Sequence, residues 1–417
     1  MANFIKENIL AVRTKYQRKP NTGYPVVEDF LRPAVVFFHS VGVDPYESDN
    51  KPGLGLHIYF AFHITNLFFV WGSSIVFVVN SVRTNNINDF LGTCMVVGYI
   101  TFGNVGILKI FAVKTYRQGM TSLVHRLKSL FPPPNEKEQE LFGVRRHLKR
   151  CILVSKGFGF LLVVMAINTS LSPFAQYAIQ RWWLHLPNPM QTLPFVSMAP
   201  WDWRDTWRFY PTYLLQCIAA YSATCGYIST DLMMFAVALQ AIMHFDKLAR
   251  DLREFNTQRH RDGRGSDKAL KELSSLIAYH IQILGLVSAM NDVFGIPLLL
   301  NFLNSSLLVC NVGFQLTMGF SLEQVLIITS ALVEIYLVCF FSQMLIDASN
   351  NVGFAIYDMN WMEAKPRFRK MLIFLSMRAQ KPVCLKATVF FGVSIQTMSI
   401  FLQVSYKFFC AIQMMYR

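Results

Sequence analysis

Charged residues are scarce in this sequence of 417 residues. Asp, Glu, Lys and Arg make up 15% of it, whereas 53% is apolar and 36 residues are Phe. An average soluble domain is about one quarter charged, so this composition excludes an ordinary soluble enzyme and indicates a multi-span membrane protein. The net charge of +14 does not predict nucleic-acid binding, because most Lys and Arg residues lie in four stretches between apolar segments.

The motifs of enzymes and metal sites are missing as well. The sequence contains no GxSxG, no HExxH, no GxxxxGK[ST] and no GxGxxG after a strand. Its eight cysteines form no CxxC pair, which argues against a disulfide framework and a structural zinc. We therefore expect no catalytic residue and no cofactor. The first 20 residues hold no continuous apolar stretch, so we expect the first apolar segment to act as its own insertion signal.

Seven long apolar segments are what the sequence does contain. Each has about 20 residues or more, which is enough for a helix rising about 1.5 Å per residue to cross a hydrocarbon core of about 30 Å. The segments are 58–80, 90–113, 152–174, 209–230, 293–312, 322–346 and 387–412. The chain regions on one side of these crossings carry 31 Lys and Arg, and those on the other side carry 5. Since basic loops stay in the cytosol, the amino terminus is predicted to be cytosolic and the carboxyl terminus extracellular.

The predicted fold is an all-α membrane protein of seven transmembrane helices with a cytosolic helical anchor bundle. The fourth and fifth helices are expected to continue into the cytosol as a hairpin, through 232–256 and 267–292, because apolar residues keep a helical spacing there. Further cytosolic helices are predicted at 115–130, at about 136–150 and at 366–380.

The chain is treated as one integral membrane domain with two parts. Residues 1–346 hold crossings one to six, the ligand pocket and the cytosolic helix extensions, and 347–417 hold the short cytosolic helix and the seventh crossing. Residues 34–43 are apolar but too short to span, which favours an amphipathic or re-entrant segment at the inner leaflet.

Two charged residues in the crossings leave alternatives open. Glu334 is the acid expected at mid-membrane, and we find no acidic mate for it. It is either protonated and hydrogen-bonded in the bundle or it lines a wet path, because an unpaired charge there costs about 2.5–3.5 kcal/mol. Lys407 is either a side chain that reaches the outer headgroups or one that faces an aqueous conduit.

Aromatic and Met residues in the outer half of the crossings suggest a cavity for a small apolar ligand, with a few polar groups among them. Packing between helices is the alternative explanation for each ring. The predicted ligand-binding set is Met95, Tyr99, Phe102, Met165, Thr169, Tyr210, Tyr213, Leu214, Asn304 and Ile328. The long outside loop 175–208 contains five Trp residues and is expected to be either a folded lid over the bundle or an anchor at the membrane surface.

Four tracts near the carboxyl end resemble the shared signature of the insect odorant receptors. They read AIYDMNW (355–361), PRFRK (366–370), MRAQKP (377–382) and SYKF (405–408). The chain also conforms to that family in its length, its seven crossings and its inverted orientation. One departure is Lys407, where members commonly have a small or aromatic residue.

The resemblance implies a subunit of a tetrameric ligand-gated cation channel in the plasma membrane of a sensory neuron dendrite. It implies an odorant site among crossings two to six, and the outer part of the seventh crossing would line the pore, with Cys410, Gln413 and Met414. A cytosolic anchor would join the subunits, and we assign to it Leu273, Ile277, Tyr357 and Trp361. The implied partners are a shared co-receptor subunit, a small volatile odorant and membrane lipids. The stretch 231–292 is short for the co-receptor, so the chain resembles the odour-tuning subunit.

Three other classes of membrane protein stay open at this stage. A metabotropic seven-helix receptor requires the opposite orientation. A transporter requires paired halves or broken helices, and we find no internal repeat, although Pro297 is able to break the fifth crossing. A gustatory receptor of the same superfamily is the nearest alternative, but its usual carboxyl-terminal signature is not matched at 405–408.

Overall fold

The structure is a computed structural model that describes residues 23–47, 54–83, 90–185, 191–198, 200–255, 263–319, 321–362, 364–388 and 391–416. In chain order its helices are α1 (Val27–His39), α2 (Leu54–Arg83), α3 (Phe90–Thr115), α4 (Arg117–Leu130), α5 (Glu136–Phe142), α6 (Val144–Ala178), α7 (Phe209–Glu254), α8 (Gly263–Met318), α9 (Leu322–Asp358), α10 (Pro366–Ala379) and α11 (Ile395–Tyr416). A short π-helical turn, Ile179–Trp183, follows α6.

Seven of these helices are long and apolar enough to cross a membrane, which confirms the predicted architecture. They are α2, α3, α6, α7, α8, α9 and α11, and each begins or ends within six residues of the corresponding end of its predicted segment. Helix α9 runs without a break past residue 346, where we divided the chain.

The seventh crossing begins at Ile395 rather than at residue 387, so the predicted start was wrong. The hydroxyl of Ser342 donates to the carbonyl of Val393 (2.7 Å) and accepts from the amide of Leu385 (3.1 Å), which fixes the preceding chain in a non-helical turn. Ser394 and Thr397 then bond to each other's amides at the first turn of α11. The 22 residues of α11 still extend about 33 Å, enough for one crossing.

Helix α7 is the centre of the bundle. All residues of its 18-residue apolar stretch are buried, whereas 17% of the corresponding stretch of α11 is buried. Helices α7 and α3 touch through their backbones, since a Cβ atom on Gly226 would lie 2.7 Å from the carbonyl oxygen of Gly106. Small residues allow such close approach between membrane helices. Helix α11 packs with one face only, so most of its surface faces outward from the single chain.

The helices predicted to be cytosolic pack together at one end of this bundle. Helix α1 is amphipathic and buries Phe30, Leu31 and Phe38 against the other helices. The hairpin of α7 and α8 extends beyond membrane length, as predicted. The prediction of a single helix over about 136–150 was wrong, because Gly143 takes a left-handed conformation (φ +64) and separates α5 from α6. Helix α10 docks through Phe368, Leu372 and Leu375.

Candidate functional site

An apolar cleft lies in the half of the helix bundle that the sequence predicts to be the outer one. The empty space between its walls is about 650 Å³, a figure that includes its open mouth. Its walls come from α2, α3, α6, α7 and α9, and from the outside segment that contains Phe195. Tyr99, Phe102, Met165 and Thr169 of the predicted ligand-binding set line it.

The segments 191–198 and 200–203 of the predicted outside loop fold over this cleft. The side chain of Gln216 on α7 forms two hydrogen bonds with the backbone of Phe195. Its oxygen accepts from the Phe195 N–H (2.9 Å), and its nitrogen donates to the Phe195 carbonyl (3.1 Å). The ring of Phe195 meets Tyr99 edge-on with centroids 5.1 Å apart, and Trp201 stacks on Phe69 at 5.7 Å. This part of the loop therefore acts as a lid. Trp182, Trp183 and Trp207 are instead strongly exposed, as the membrane-surface alternative requires.

Polar groups are few on the cleft wall and most are already bonded. The hydroxyl of Tyr99 donates to the Glu323 carboxylate at the outer end of α9 (3.1 Å). The side chain of Thr169 also bonds to that carboxylate. The hydroxyl of Thr224 donates to the carbonyl of Ala220 one turn earlier in α7 (2.8 Å). The cleft can thus hold an apolar molecule with a small number of polar contacts.

Below the cleft lies a buried ionic cluster that sequence reasoning missed. The ammonium of Lys109 lies 2.7 Å from Asp231 and 2.6 Å from Glu334, and it also donates to the carbonyl of Tyr227 (3.1 Å). These charged side chains are 4% exposed or less. The hydroxyl of Tyr227 donates to the second oxygen of the Glu334 carboxylate. The cluster joins α3, α7 and α9, which all contribute to the cleft wall.

This cluster corrects one expectation from the sequence and bears on another. Glu334 does have an acidic neighbour, because Asp231 shares its cation. Glu334 is hydrogen-bonded inside the bundle, as in the first of the two alternatives for it, but as the ion-pair partner of Lys109 and not as a protonated acid. The available signal was Lys109 itself, since a cation within a crossing is expected to have an acidic partner.

One aromatic contact connects the cleft to the cluster. Phe102, which lines the cleft, stacks on Tyr227 with centroids 4.8 Å apart and an angle of 23° between the rings. The Lys109 ammonium lies 4.5 Å from the centre of the same Tyr227 ring. A molecule that displaces Phe102 must therefore disturb a side chain bonded directly to α9.

The other six predicted ligand residues do not line the cleft. Tyr210 and Leu214 are 70% and 60% exposed and point away from the bundle, so they do not face this cleft. Tyr213 is buried in a separate cluster with Leu193 and Phe209, where its hydroxyl donates to the carbonyl of Ser170. The amide of Asn104 donates to Asn304 (3.2 Å), and Ile328 and Met95 are partly buried in other parts of the bundle.

The first crossing contributes to the cleft although the predicted site began at the second. Leu67, Val70, Trp71 and Ser74 of α2 form one wall. They recur at spacings of three and four residues, which places them on one helix face. The fifth crossing, α8, supplies no lining residue among the described part of the chain.

The residues that were assigned pore and anchor roles lie outside the cleft. On α11, Met414 is 75% exposed, Lys407 is exposed, and Cys410 and Gln413 are partly exposed. In the anchor set, Tyr357 is 78% exposed and Trp361 is 37% exposed. Leu273 is fully buried within the chain and Ile277 is partly buried, so Leu273 packs inside the subunit and offers no surface to a partner.

Comparison with known proteins places this architecture in one family. Residues 89–406 match the family model described as 7tm Odorant receptor. Odorant receptor 67a of Drosophila melanogaster is 49% identical over 95% of this chain and 98% of its own length. Odorant receptor 85c of the same species is 34% identical over 93% and 99%.

A solved structure shares the fold. The olfactory receptor OR5 from Machilis hrabei, in complex with eugenol, covers 93% of this chain and 98% of its own with a TM-score of 0.74 at 14% identity. At that identity the likeness concerns the fold alone. The family model and the relatives carry the assignment, and they describe receptors rather than enzymes: the chain belongs to the insect odorant receptor family.

Proposed function

We propose that this protein is the odour-tuning subunit of a heteromeric, ligand-gated cation channel, and that the cleft under the lid formed by 191–198 and 200–203 is its odorant site. The observation that carries the proposal is an apolar cleft in contact, through Phe102 and Tyr227, with a cluster that joins three helices. The amino terminus is cytosolic and the carboxyl terminus extracellular in this proposal, because Lys and Arg are concentrated on one side of the crossings.

The proposed mechanism is a shift between closed and open populations. An odorant favours opening only to the extent that it binds the open arrangement more tightly than the closed one. Ligand in the cleft contacts α2, α3, α6, α7 and α9 together and thereby biases their packing. Helix α9 passes the bias to α11, with which it is in direct contact near Ser342 and Val393.

The pore and the subunit contacts are assigned to surfaces that the single chain leaves open. The outward face of α11, including Cys410, Gln413 and Met414, would line the conduit together with the co-receptor. The cytosolic surface around Tyr357 and Trp361 would join neighbouring subunits, because large apolar side chains exposed to water commonly mark an interface.

Coexpression tests the proposal directly. Cells that express this chain with an insect co-receptor subunit should give an inward cation current when a panel of volatile compounds is applied, and the co-receptor alone should not respond to those compounds. Cells with this chain alone serve as the second control. Equal responses with and without this chain, at verified surface expression, would contradict the proposed role.

The volume of the cleft should set which ligands act. Gly103 lines the cleft, and a Cβ atom placed on it would lie 3.6 Å from Cδ1 of Trp71, an ordinary contact. We expect Gly103→Ala to preserve folding and to raise the half-maximal concentration of the largest active odorants by about tenfold, since one methyl group in a pocket changes affinity at least that much. Dose–response curves across a homologous series measure the effect.

Gly157→Ala is the matched control for this substitution. Gly157 lies on α6, and a Cβ atom there meets no other atom within 4 Å. The control should leave the size preference unchanged. A similar change in both variants would mean that a helix effect, and not the cleft, is responsible.

A further inference from the structure

One hydrogen-bond donor in the cleft has no partner. Trp71 lies on α2 and lines the cleft, and a Cβ atom on Gly103 of α3, also a lining residue, would lie 3.6 Å from Cδ1 of its pyrrole ring. The adjacent Nε1 atom is buried, and no hydrogen-bond partner for it occurs among the described residues. An indole N–H can only donate, and a buried donor without an acceptor is destabilising.

The hydroxyls of the cleft differ from Trp71 in this respect. The Ser74 hydroxyl donates to the carbonyl of Val70 (3.0 Å), and that of Thr224 donates to Ala220 (2.8 Å). The hydroxyl of Tyr99 is directed to Glu323 (3.1 Å). Their hydrogens are committed within the protein, whereas the buried Trp71 N–H is a donor of a cleft-lining side chain with no acceptor among the described residues.

We propose that the site selects small apolar molecules that carry a carbonyl-type oxygen, such as an ester, a ketone or an aldehyde, and that the Trp71 N–H donates to this oxygen. The inference rests on the proposed function, since it concerns the ligand of the same cleft. A hydrocarbon of equal shape fills the cleft but leaves the donor unpaired. A carbonyl oxygen accepts the hydrogen and brings no donor of its own that would need a second partner.

The remaining wall suits the rest of such a molecule. Met165 supplies a flexible, polarisable side chain, and Phe102 and Phe195 supply rings. These groups contact apolar surface without a directional requirement. The wall therefore tolerates different carbon skeletons, while Trp71 fixes where the oxygen lies.

The test uses pairs of probes that differ in one group. Each aliphatic or aromatic methyl ketone is paired with the alkene in which a methylidene group replaces the carbonyl oxygen, and both are applied to cells expressing this chain with the co-receptor. We expect the wild type to respond to the ketone at a concentration about tenfold lower than to the alkene, because a buried hydrogen bond to a ligand is worth about that factor or more. Trp71→Phe removes the donor and keeps an aromatic ring, so it should abolish this difference.

Ser73→Ala is the matched control, since it removes a hydroxyl from the same helix that does not line the cleft and whose hydrogen is bonded to the carbonyl of Val70 (2.8 Å). It should retain the ketone preference. A preference that survives Trp71→Phe, or a wild type that responds equally to ketone and alkene, would overturn the inference while leaving the channel function intact. A wild type that responds to no volatile compound at all would contradict the proposed function itself.

Discussion

Lys109→Met is expected to remove the protein from the cell surface. The substitution keeps a side chain of similar length but leaves Asp231 and Glu334 without their shared cation. Breaking a buried ion pair by removing one partner costs about 3–5 kcal/mol, and most proteins are stable by only about 5–15 kcal/mol. Surface labelling of an extracellular epitope should fall to near background, and the odorant-evoked current should disappear with it.

Lys114→Met provides the control on the same helix. Lys114 is exposed and lies 4.4 Å from the centre of the Phe60 ring, a contact worth about 0.5–1 kcal/mol at an exposed site. The control should reach the surface in nearly normal amounts. Normal surface expression of Lys109→Met would show that the cluster does not carry the stability assigned to it.

A neutral version of the cluster separates folding from gating. In the triple variant Lys109→Met, Asp231→Asn and Glu334→Gln, no buried charge is left without a partner. Replacing a buried ion pair completely by neutral groups is often tolerated, so we expect surface expression to recover in part. A Gln oxygen at position 334 can still accept from the Tyr227 hydroxyl. If the odorant-evoked current also recovers, the Tyr227 hydrogen bond is what couples the cleft to channel opening. If the variant reaches the surface but gives no current, the charges are required for that coupling.

The sequence predicted the seven crossings because a membrane-length apolar run is a strong local signal. The start of the last one was missed because Ser342, far away in the sequence, fixes the turn at Leu385 and Val393. Only tertiary structure supplies such a contact. The break at Gly143, by contrast, was open to prediction, since Gly is the residue that most readily adopts a left-handed conformation.

The candidate site was harder to predict because lipid and protein interior are equally apolar. Tyr210 and Leu214 point outward on α7, and Tyr213 points inward, yet all three suit either environment. Hydropathy therefore does not show which face of a membrane helix packs against protein and which faces lipid. The contribution of α2 was hidden for the same reason, because the sequence does not state which helices are neighbours. Lys109 was the exception, and its charge alone was sufficient reason to look for Asp231 and Glu334.

A second large effect is expected on the side predicted to be cytosolic, where the chain leaves a set of apolar side chains exposed. We call this set the anchor face, and its members are Phe354, Tyr357, Met362, Ile373, Phe374 and Met377. Each of them is at least 58% exposed in the single chain. They lie on the end of α9, on α10 and on the link between them. Exposed apolar groups at this density are characteristic of a surface that another chain covers.

Substituting Tyr357 and Phe374 with Glu should therefore abolish assembly with the co-receptor and leave the subunit folded. The two side chains are 78% and 73% exposed, so the acids remain in water in the free subunit. In the assembled channel the same acids would be buried without partners, at a cost of several kcal/mol each. Pull-down of a tagged co-receptor should recover little of the variant, and odorant-evoked current should be lost at normal total expression.

Arg367→Glu tests whether the effect belongs to the anchor face or to added negative charge. Arg367 is exposed near the start of α10, where an acid is favourable to the helix. This control should assemble and conduct. Leu372→Glu should give a contrasting result, because Leu372 is 5% exposed and docks α10 onto the bundle. That variant should lose expression in addition to assembly. If the Tyr357 and Phe374 double variant still co-purifies with the co-receptor, the subunit contact must lie elsewhere, and the outward face of α11 is the next surface to test.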